Sequence, residues 1–281
     1  MNESTSKFLR IAGGLSGIAI GGLAVATLIG CSTFSAPPYR GPTSDHYDGE
    51  EFFNDNQIEH GFGALLKWQV TADRGPWPEW IDVEPGPPPP ERVGQGELRI
   101  TWVNHATMLI QTDELNVLTD PIWSKRSSPL RWIGPSRVRP PGLAFEDLPP
   151  IDVVLISHNH YDHLDVETIQ RLEAAHDPRF IVPLGLTRYL RDIGVDNSGD
   201  LDWWQRVEVT DGVWIAAVPA RHFSGRGMCD RNETLWAGFV IQGSRGPIFF
   251  AGDTGFGPHF GEIRDEFGPV EVAMLPIGAY E

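Results

Sequence analysis

Residues 153–165 read Val-Val-Leu-Ile-Ser-His-Asn-His-Tyr-Asp-His-Leu-Asp, and this stretch decides the fold. Its apolar start predicts a short buried strand over Asp152–Ser157. In an extended segment His158 and His160 face the same side, because the side-chain period is two. Asp162 and His163 follow one turn later, where the sequence predicts a helix over Asp165–Ala175 with Asp165 as its N-cap. Three of the chain's nine histidines therefore fall within six residues at a strand-to-helix corner. Burying such groups unpaired would cost several kcal/mol in total, so a core role is excluded. Neutral imidazoles with a carboxylate are the donors that suit zinc, and less selectively iron or manganese.

Two further polar residues stand just beyond predicted strands. His222 follows the strand predicted at Val213–Val218, and Asp253 follows the one at Pro247–Ala251. Strand ends on a rigid scaffold are where sites collect. The other predicted strands are Leu98–Trp102, Thr107–Gln111, Asn116–Thr119, Phe180–Pro183, Arg206–Val209, Leu235–Gln242 and Val270–Pro276, with helices at Thr187–Ile193 and Phe260–Phe267. Strands with interspersed helices and no clean βαβ repeat indicate an α+β protein with mixed sheets and helices outside. His105 ends a strand and reads equally as a support for a ligand or as a structural histidine. Asp120, before Pro121, reads as a strand-end turn residue that also helps orient the ligand loops.

The pattern His-x-His-x-Asp-His, with a later His and a later Asp, resembles the metallo-β-lactamase fold. The flanking stretches Thr119–Ile122, Pro149–Asp152, Ile156–Asp165, Val182–Leu186, Leu201–Trp204, Phe249–Gly255 and Pro276–Glu281 resemble the N-acylphosphatidylethanolamine-hydrolysing phospholipase D family more closely. The similarity runs from about Tyr47 to the last residue. It implies a four-layer αββα sandwich over residues 97–281 and a two-metal site. His158, His160 and His222 would hold one zinc, Asp162 and His163 the second, and Asp253 would bridge them, with Asp162 and Asp253 as the catalytic carboxylates. The implied reaction is phosphodiester hydrolysis by a metal-bound hydroxide, releasing an N-acylethanolamine and phosphatidate. Another ester, such as a lactone or a sugar phosphate, and an inactive metal-binding fragment are the alternatives. The family has one more histidine for the second metal, beyond the stretch resembling Pro276–Glu281. The expectation is thus a chain truncated at its C-terminus, with the last elements of the sandwich and that ligand missing.

Outside this domain, residues 1–30 read as an export signal. Lys7 and Arg10 precede an uncharged run from Ile11 to Ile29 that ends in Leu-Ile-Gly-Cys. Those four residues resemble a bacterial lipobox, which implies lipidation of Cys31 and an anchored envelope protein. An uncleaved membrane helix is the alternative. With Cys31 lipidated, Cys229 would be the one free thiol and no intrachain disulfide could form. Residues 31–96 read as a Pro-rich linker and an arm packed on the main domain, with a short amphipathic helix at Phe62–Val70.

Composition narrows the function further. A chain of 281 residues with 41% hydrophobic and 21% charged residues builds a core and is not disordered. The net charge of −16 excludes a general nucleic-acid binder. Two cysteines exclude a disulfide framework and a cysteine-based zinc cluster. Against the acidic background, Lys125, Arg126, Arg131, Arg137 and Arg139 lie in a segment with no acidic residue. They read as a patch for lipid phosphate or an anionic membrane, or as a solvated loop. Trp123, Trp132, Trp203, Trp204 and Trp236 read as core or as the lining of an acyl groove. Sequence fixes no oligomeric state.

Overall fold

The computed structural model describes residues 30, 31, 33–54, 78–84, 86–227 and 229–278, with a few isolated positions between 63 and 76. The export segment and most of the helix expected at Phe62–Val70 lie outside the described residues. No helix among those described is long and apolar enough to cross a membrane.

Two sheets carry the architecture. The first has six strands in sequence order: β1 (Leu98–Asn104), β2 (Thr107–Thr112), β3 (Leu115–Thr119), β4 (Val153–Leu155), β5 (Arg179–Pro183) and β6 (Ser198–Leu201). Its first three strands pair antiparallel, and β3 to β6 are parallel. The second has five strands, β7 (Arg206–Thr210), β8 (Val213–Val218), β9 (Gly238–Gly243), β10 (Gly246–Phe250) and β11 (Val272–Met274), ordered β11-β10-β9-β8-β7. Among the described residues, the α-helices α1 (Val166–His176), α2 (Leu186–Asp192) and α3 (His259–Phe267) flank the sheets.

The two-residue period of the strands sorts their side chains into layers. Val153, Leu155 and Ile181 point between the sheets, where they meet Ile215, Phe239, Ile241 and Phe250. Their neighbours Val154, Phe180 and Val182 point outward, against Ile169 and Leu172 of α1 and Leu186 and Leu190 of α2. Across the molecule, Val218, Val240 and Phe249 pack outward against Ile263 of α3. The layers are thus helix, sheet, sheet, helix, the expected αββα sandwich. Both faces of β4 are buried, which is why its sequence is an unbroken apolar run rather than an alternation.

The strand β6 was not foreseen. Its sequence, Ser-Gly-Asp-Leu, lacks any apolar alternation, and pairing with β5 creates it. Helix α1 begins at Val166 with Asp165 at its N-cap, as expected, but the Asp165 side chain makes no cap bond to it. Instead the Asp165 carboxylate accepts from the Ser124 amide at 2.9 Å and the Ser124 hydroxyl at 2.8 Å, tying down the long β3–β4 connection. Cys31 is joined to Cys229 in a disulfide spanning 198 residues. The expectation that no intrachain disulfide forms is corrected, and a sulfur so bonded cannot also carry a thioether-linked lipid.

The disulfide belongs to an N-terminal arm that packs on the sandwich. Tyr47 and Phe52 are buried with Leu235 and Trp236. His46 stacks on Trp203 with 4.4 Å between ring centroids and bonds Asp202 at 2.8 Å.

Candidate metal centre

The site lies where strands of both sheets end on the same side. His158, His160, Asp162 and His163 follow β4, His222 follows β8 and Asp253 follows β10. The six residues singled out from sequence are all brought together here. His158 Nε2 lies 2.8 Å from His160 Nδ1, which lies 3.2 Å from His222 Nε2. The potential ligand atoms of these three residues fall within 4.8 Å of one another, as do those of His158, His163 and Asp253. A third such group is His105, Asp162 and His163. Asp253 stands between them, its Oδ2 3.4 Å from His163 Nε2 and 3.9 Å from His222 Nε2.

Behind the first group lies a buried network built on Asp120. Its carboxylate accepts three bonds at 2.7 Å, from the Ser157 amide, the Ser157 hydroxyl and His163 Nδ1. Having given its one proton to Asp120, the Ser157 hydroxyl can only accept from His158 Nδ1, 2.8 Å away. His158 thus carries its proton on Nδ1 and directs a bare Nε2 into the site, while His163 donates from Nδ1 to Asp120 and aims its Nε2 the same way. Asp120 itself adopts a left-handed backbone conformation, with φ 35°. Gly252 packs so closely against Ser157 that an added Cβ would sit 2.6 Å from the serine Cβ, and its φ of 58° is also left-handed. That glycine sets the spacing between the β10 loop carrying Asp253 and the β4 loop carrying His158.

Other loops are fixed as firmly. The buried Arg226 donates to the carbonyls of Asn159 and Leu164 at 3.1 and 2.8 Å, spanning the ligand loop, and stacks on Tyr161 at 4.1 Å. Thr254 accepts from the Arg221 amide at 2.8 Å, which ties the loops of His222 and Asp253 together. Sequence reading missed Ser157, Arg226 and Thr254. The one usable signal was the position of Ser157 inside the histidine stretch.

Electrostatics favour a cation. Burial holds His158 well below the ordinary imidazole range, and brings His160 to about 4 and His222 to about 3. All three are neutral at pH 7, so three ring nitrogens converge with too few protons to satisfy them. Burial opposes charge on His163 as well, but the Asp120 carboxylate outweighs it and raises His163 well above its usual value. Burial likewise pushes Asp162 and Asp253 up, and is outweighed by the His105 hydrogen bond at Asp162 and by His163 at Asp253. The His163 Nε2 is buried and lacks a hydrogen-bond partner among the described residues. A buried unpaired nitrogen beside two carboxylates and converging neutral imidazoles is the donor set a divalent metal satisfies. The residues fit the metals that the sequence implied.

His105 sits in the two-residue turn between β1 and β2 with φ 43°. A non-glycine residue there costs on the order of 1 kcal/mol. Its Nε2 meets Asp162 Oδ2 at 3.1 Å, with the two side chains 49% and 41% exposed. An ion pair that open contributes about 0–1 kcal/mol.

The five basic residues of the β3–β4 connection do not form one face. Lys125 and Arg137 line a cavity of about 480 Å³ together with His105, His160 and Asp162. Lys125, Arg126 and Arg131 line an adjoining hollow of about 610 Å³ beside Tyr161 and Tyr189. Arg131 pairs with Glu167 at 3.1 Å, and Arg139 stacks on Trp102 at 4.0 Å. The tryptophans divide too. Trp236 is core, whereas Trp132 is 75% exposed.

Residues 115–281 match the Beta-lactamase superfamily domain. The chain belongs to this superfamily. Among its relatives, an uncharacterised protein of Mycobacterium tuberculosis is 38% identical over 247 residues, covering 87% of this chain and 65% of that protein. The N-acyl-phosphatidylethanolamine-hydrolyzing phospholipase D 1 of Caenorhabditis elegans is 39% identical over 191 residues, covering 64% of this chain and 54% of that enzyme. This superfamily member thus spans about two thirds or less of the length of these relatives. The structure of Igni18, a metallo hydrolase from the archaeon Ignicoccus hospitalis, shares the fold with a TM-score of 0.51 at 23% identity, covering 65% of this chain and 72% of that one. The chain has the metallo-β-lactamase fold and is related in sequence to the N-acylphosphatidylethanolamine-hydrolysing enzymes.

Proposed function

We propose that this hydrolase is a phosphodiesterase that cleaves N-acylphosphatidylethanolamine-type phospholipids to N-acylethanolamine and phosphatidate. One observation carries the reading beyond a generic hydrolase. The cavity of about 480 Å³ that reaches His160 and Asp162 is also lined by Lys125 and Arg137. Two Arg137 nitrogens, Nε and Nη2, are held by the Ser124 carbonyl at 3.1 and 2.8 Å, while Nη1 is buried with no hydrogen-bond partner among the described residues. A guanidinium and a lysine lining the same cavity suit the nonbridging oxygens of a phosphodiester. The 39% identity to the C. elegans enzyme points to the same substrate class.

His158, His160 and His222 would hold one metal, Asp162 and His163 the other, with Asp253 between. When bound, the metals would supply Lewis acidity to the phosphoryl oxygens and a nucleophilic water near neutral pH. Asp120 keeps His163 oriented and, through Ser157, His158. Arg137 and Lys125 orient the phosphodiester and neutralise its charge. The lipid part of the substrate would meet the exposed Leu130, Trp132 and Ile133, which stand beside Arg126 and Arg131 in the same connection. The sequence of residues 1–30 supports export to the cell envelope, a compartment in which the Cys31–Cys229 disulfide persists.

The test is turnover of N-acylphosphatidylethanolamine in mixed micelles with added zinc, iron or manganese, following N-acylethanolamine by mass spectrometry. The expected result is metal-dependent release, with Arg137→Ala lowering kcat/KM by about a hundredfold. Hydrolysis of lactones or sugar phosphates with the phospholipid left intact would overturn the assignment.

A further inference from the structure

We propose that Asn54, in the N-terminal arm, is a positioning residue for His222, so that the arm forms part of the metal centre. The inference rests on the cluster holding metal, and is independent of the substrate.

His222 stands in the β8–β9 connection, residues 219–237, none of whose described residues lies in a helix or strand. A connection of that length needs outside contacts to hold one shape. Two peptides flank His222. The one before it is held by the sandwich, where the Arg221 carbonyl accepts from the Gly255 amide at 2.9 Å. The one after it is held by the arm, where the Asn54 side-chain amide donates to the His222 carbonyl at 2.8 Å. With both peptide planes fixed, the Cα–Cβ direction of His222 is fixed too, and its Nε2 is kept 3.2 Å from His160 Nδ1.

The arm is shaped to bring Asn54 there. Asp48 and Gly49 turn the chain back on itself. The Asp48 carboxylate accepts from the Glu50 and Glu51 amides, each at 2.8 Å, and Gly49 takes φ 105°. Tyr47 and Phe52 then pair in an isolated antiparallel bridge and are buried with Ala220, Leu235 and Trp236 of the β8–β9 connection. Further bonds run from the arm to the same connection. The Phe52 amide donates to the Asn232 carbonyl at 2.8 Å and the Tyr39 amide to the Glu233 carbonyl at 2.9 Å. The Ala36 amide donates to the Asp230 carboxylate at 2.8 Å. These contacts dock the arm, and of the bonds it makes here that of Asn54 reaches a candidate ligand. The arm lies outside the superfamily domain, which matches residues 115–281. A group that stands one step behind a ligand and orients it sets about 10–100-fold in metal affinity.

The experiment is zinc titration of the full chain, of Asn54→Leu and of Phe52→Leu against a chromophoric chelator. Urea unfolding and the NMR resonance of the Phe223 amide, which belongs to the peptide that Asn54 holds, are read alongside. Asn54→Leu keeps the approximate shape of the side chain and removes its donor. It is expected to bind zinc about tenfold more weakly and to shift the Phe223 amide. Phe52→Leu thins the packing of the arm but keeps the bond, so its urea midpoint should fall while its zinc affinity stays unchanged. Unchanged zinc affinity in Asn54→Leu would overturn the proposal, as would a loss that leaves the Phe223 amide unmoved. An equal loss in Phe52→Leu would assign the effect to the stability of the arm and overturn it as well. A wild type that holds no zinc would overturn the metal reading of the whole cluster, and this proposal with it. Zinc binding as expected without phospholipid turnover leaves Asn54 its role and removes only the substrate assignment.

Discussion

Replacing Asp120 is the sharpest probe of how this centre is held. The Asp120 and His163 side chains are fully buried, 2.7 Å apart. Asp120→Ala would strand His163 Nδ1, the Ser157 amide and the Ser157 hydroxyl, each of which donates to that carboxylate at 2.7 Å. Breaking a buried pair by removing one partner destabilises by about 3–5 kcal/mol. Asp120→Asn keeps the shape, but its NH2 must face one of the three donors, which costs about 1–3 kcal/mol. Both changes free the His163 ring to turn. They also release Ser157, so His158 loses its tautomer control. A partner of this kind sets about 10–100-fold in metal affinity. Urea unfolding of metal-free protein measures the first effect, and zinc titration against a chromophoric chelator measures the second. Asp120→Asn with an unchanged urea midpoint and a zinc Kd within twofold of wild type would refute the reasoning. An effect on stability alone would show that Asp120 braces the fold without orienting ligands.

Three other outcomes follow from the same structure. Gly252→Ala should destabilise by about 1–3 kcal/mol, from positive φ and the clash with Ser157, and weaken metal binding as well. A neutral thermal melt would show that the two loops can part without strain. His46 is opposed by burial, yet its bonds to Asp202 and Asp45 outweigh this and hold its pKa above the usual 6.5. A raised histidine stabilises fully below its unfolded pKa and loses that contribution as pH rises through the folded value. Docking of the arm should therefore weaken above neutral pH, read as faster proteolysis near residues 39–54 in wild type but not in His46→Gln. An equally steep pH dependence in the variant would assign it elsewhere. Finally, peptide mapping should find Cys31 and Cys229 resistant to alkylation until reductant is added. The disulfide's loop would contribute about 5 kcal/mol by chain entropy. A lipid mass on Cys31 with Cys229 freely alkylated would establish the anchored form instead.

Much of the sandwich was legible because its information is local. Strand β4 announces itself as an unbroken run of three apolar residues, since both of its faces are covered. The candidate ligands His158, His160, Asp162 and His163 share one loop, so their spacing alone suggested metal chemistry. His222 and Asp253 were found as polar residues directly after apolar strands. Where the reading failed, the structure depended on a partner far along the chain. Strand β6 exists because β5 offers it a hydrogen-bonding edge. Asp165 stands at the N-cap of α1 as read, but its carboxylate binds Ser124 because the β3–β4 connection passes beside it.

The sequence by itself determined which residues alternate, which strands are buried and which donors sit together within one turn of chain. Those features arise from the two- and 3.6-residue periods of the backbone and from spacing over a few residues. Only the stacking of the two sheets decided that β4, β8 and β10 end on the same side, bringing His222 within 3.2 Å of His160 across 62 residues. Tertiary packing alone also placed His105 against Asp162, gave Asp120 its hold on two histidines, and divided the five basic residues among different surfaces. Contacts of that kind are set by which surfaces can close over a common core, and a one-dimensional pattern carries no record of them.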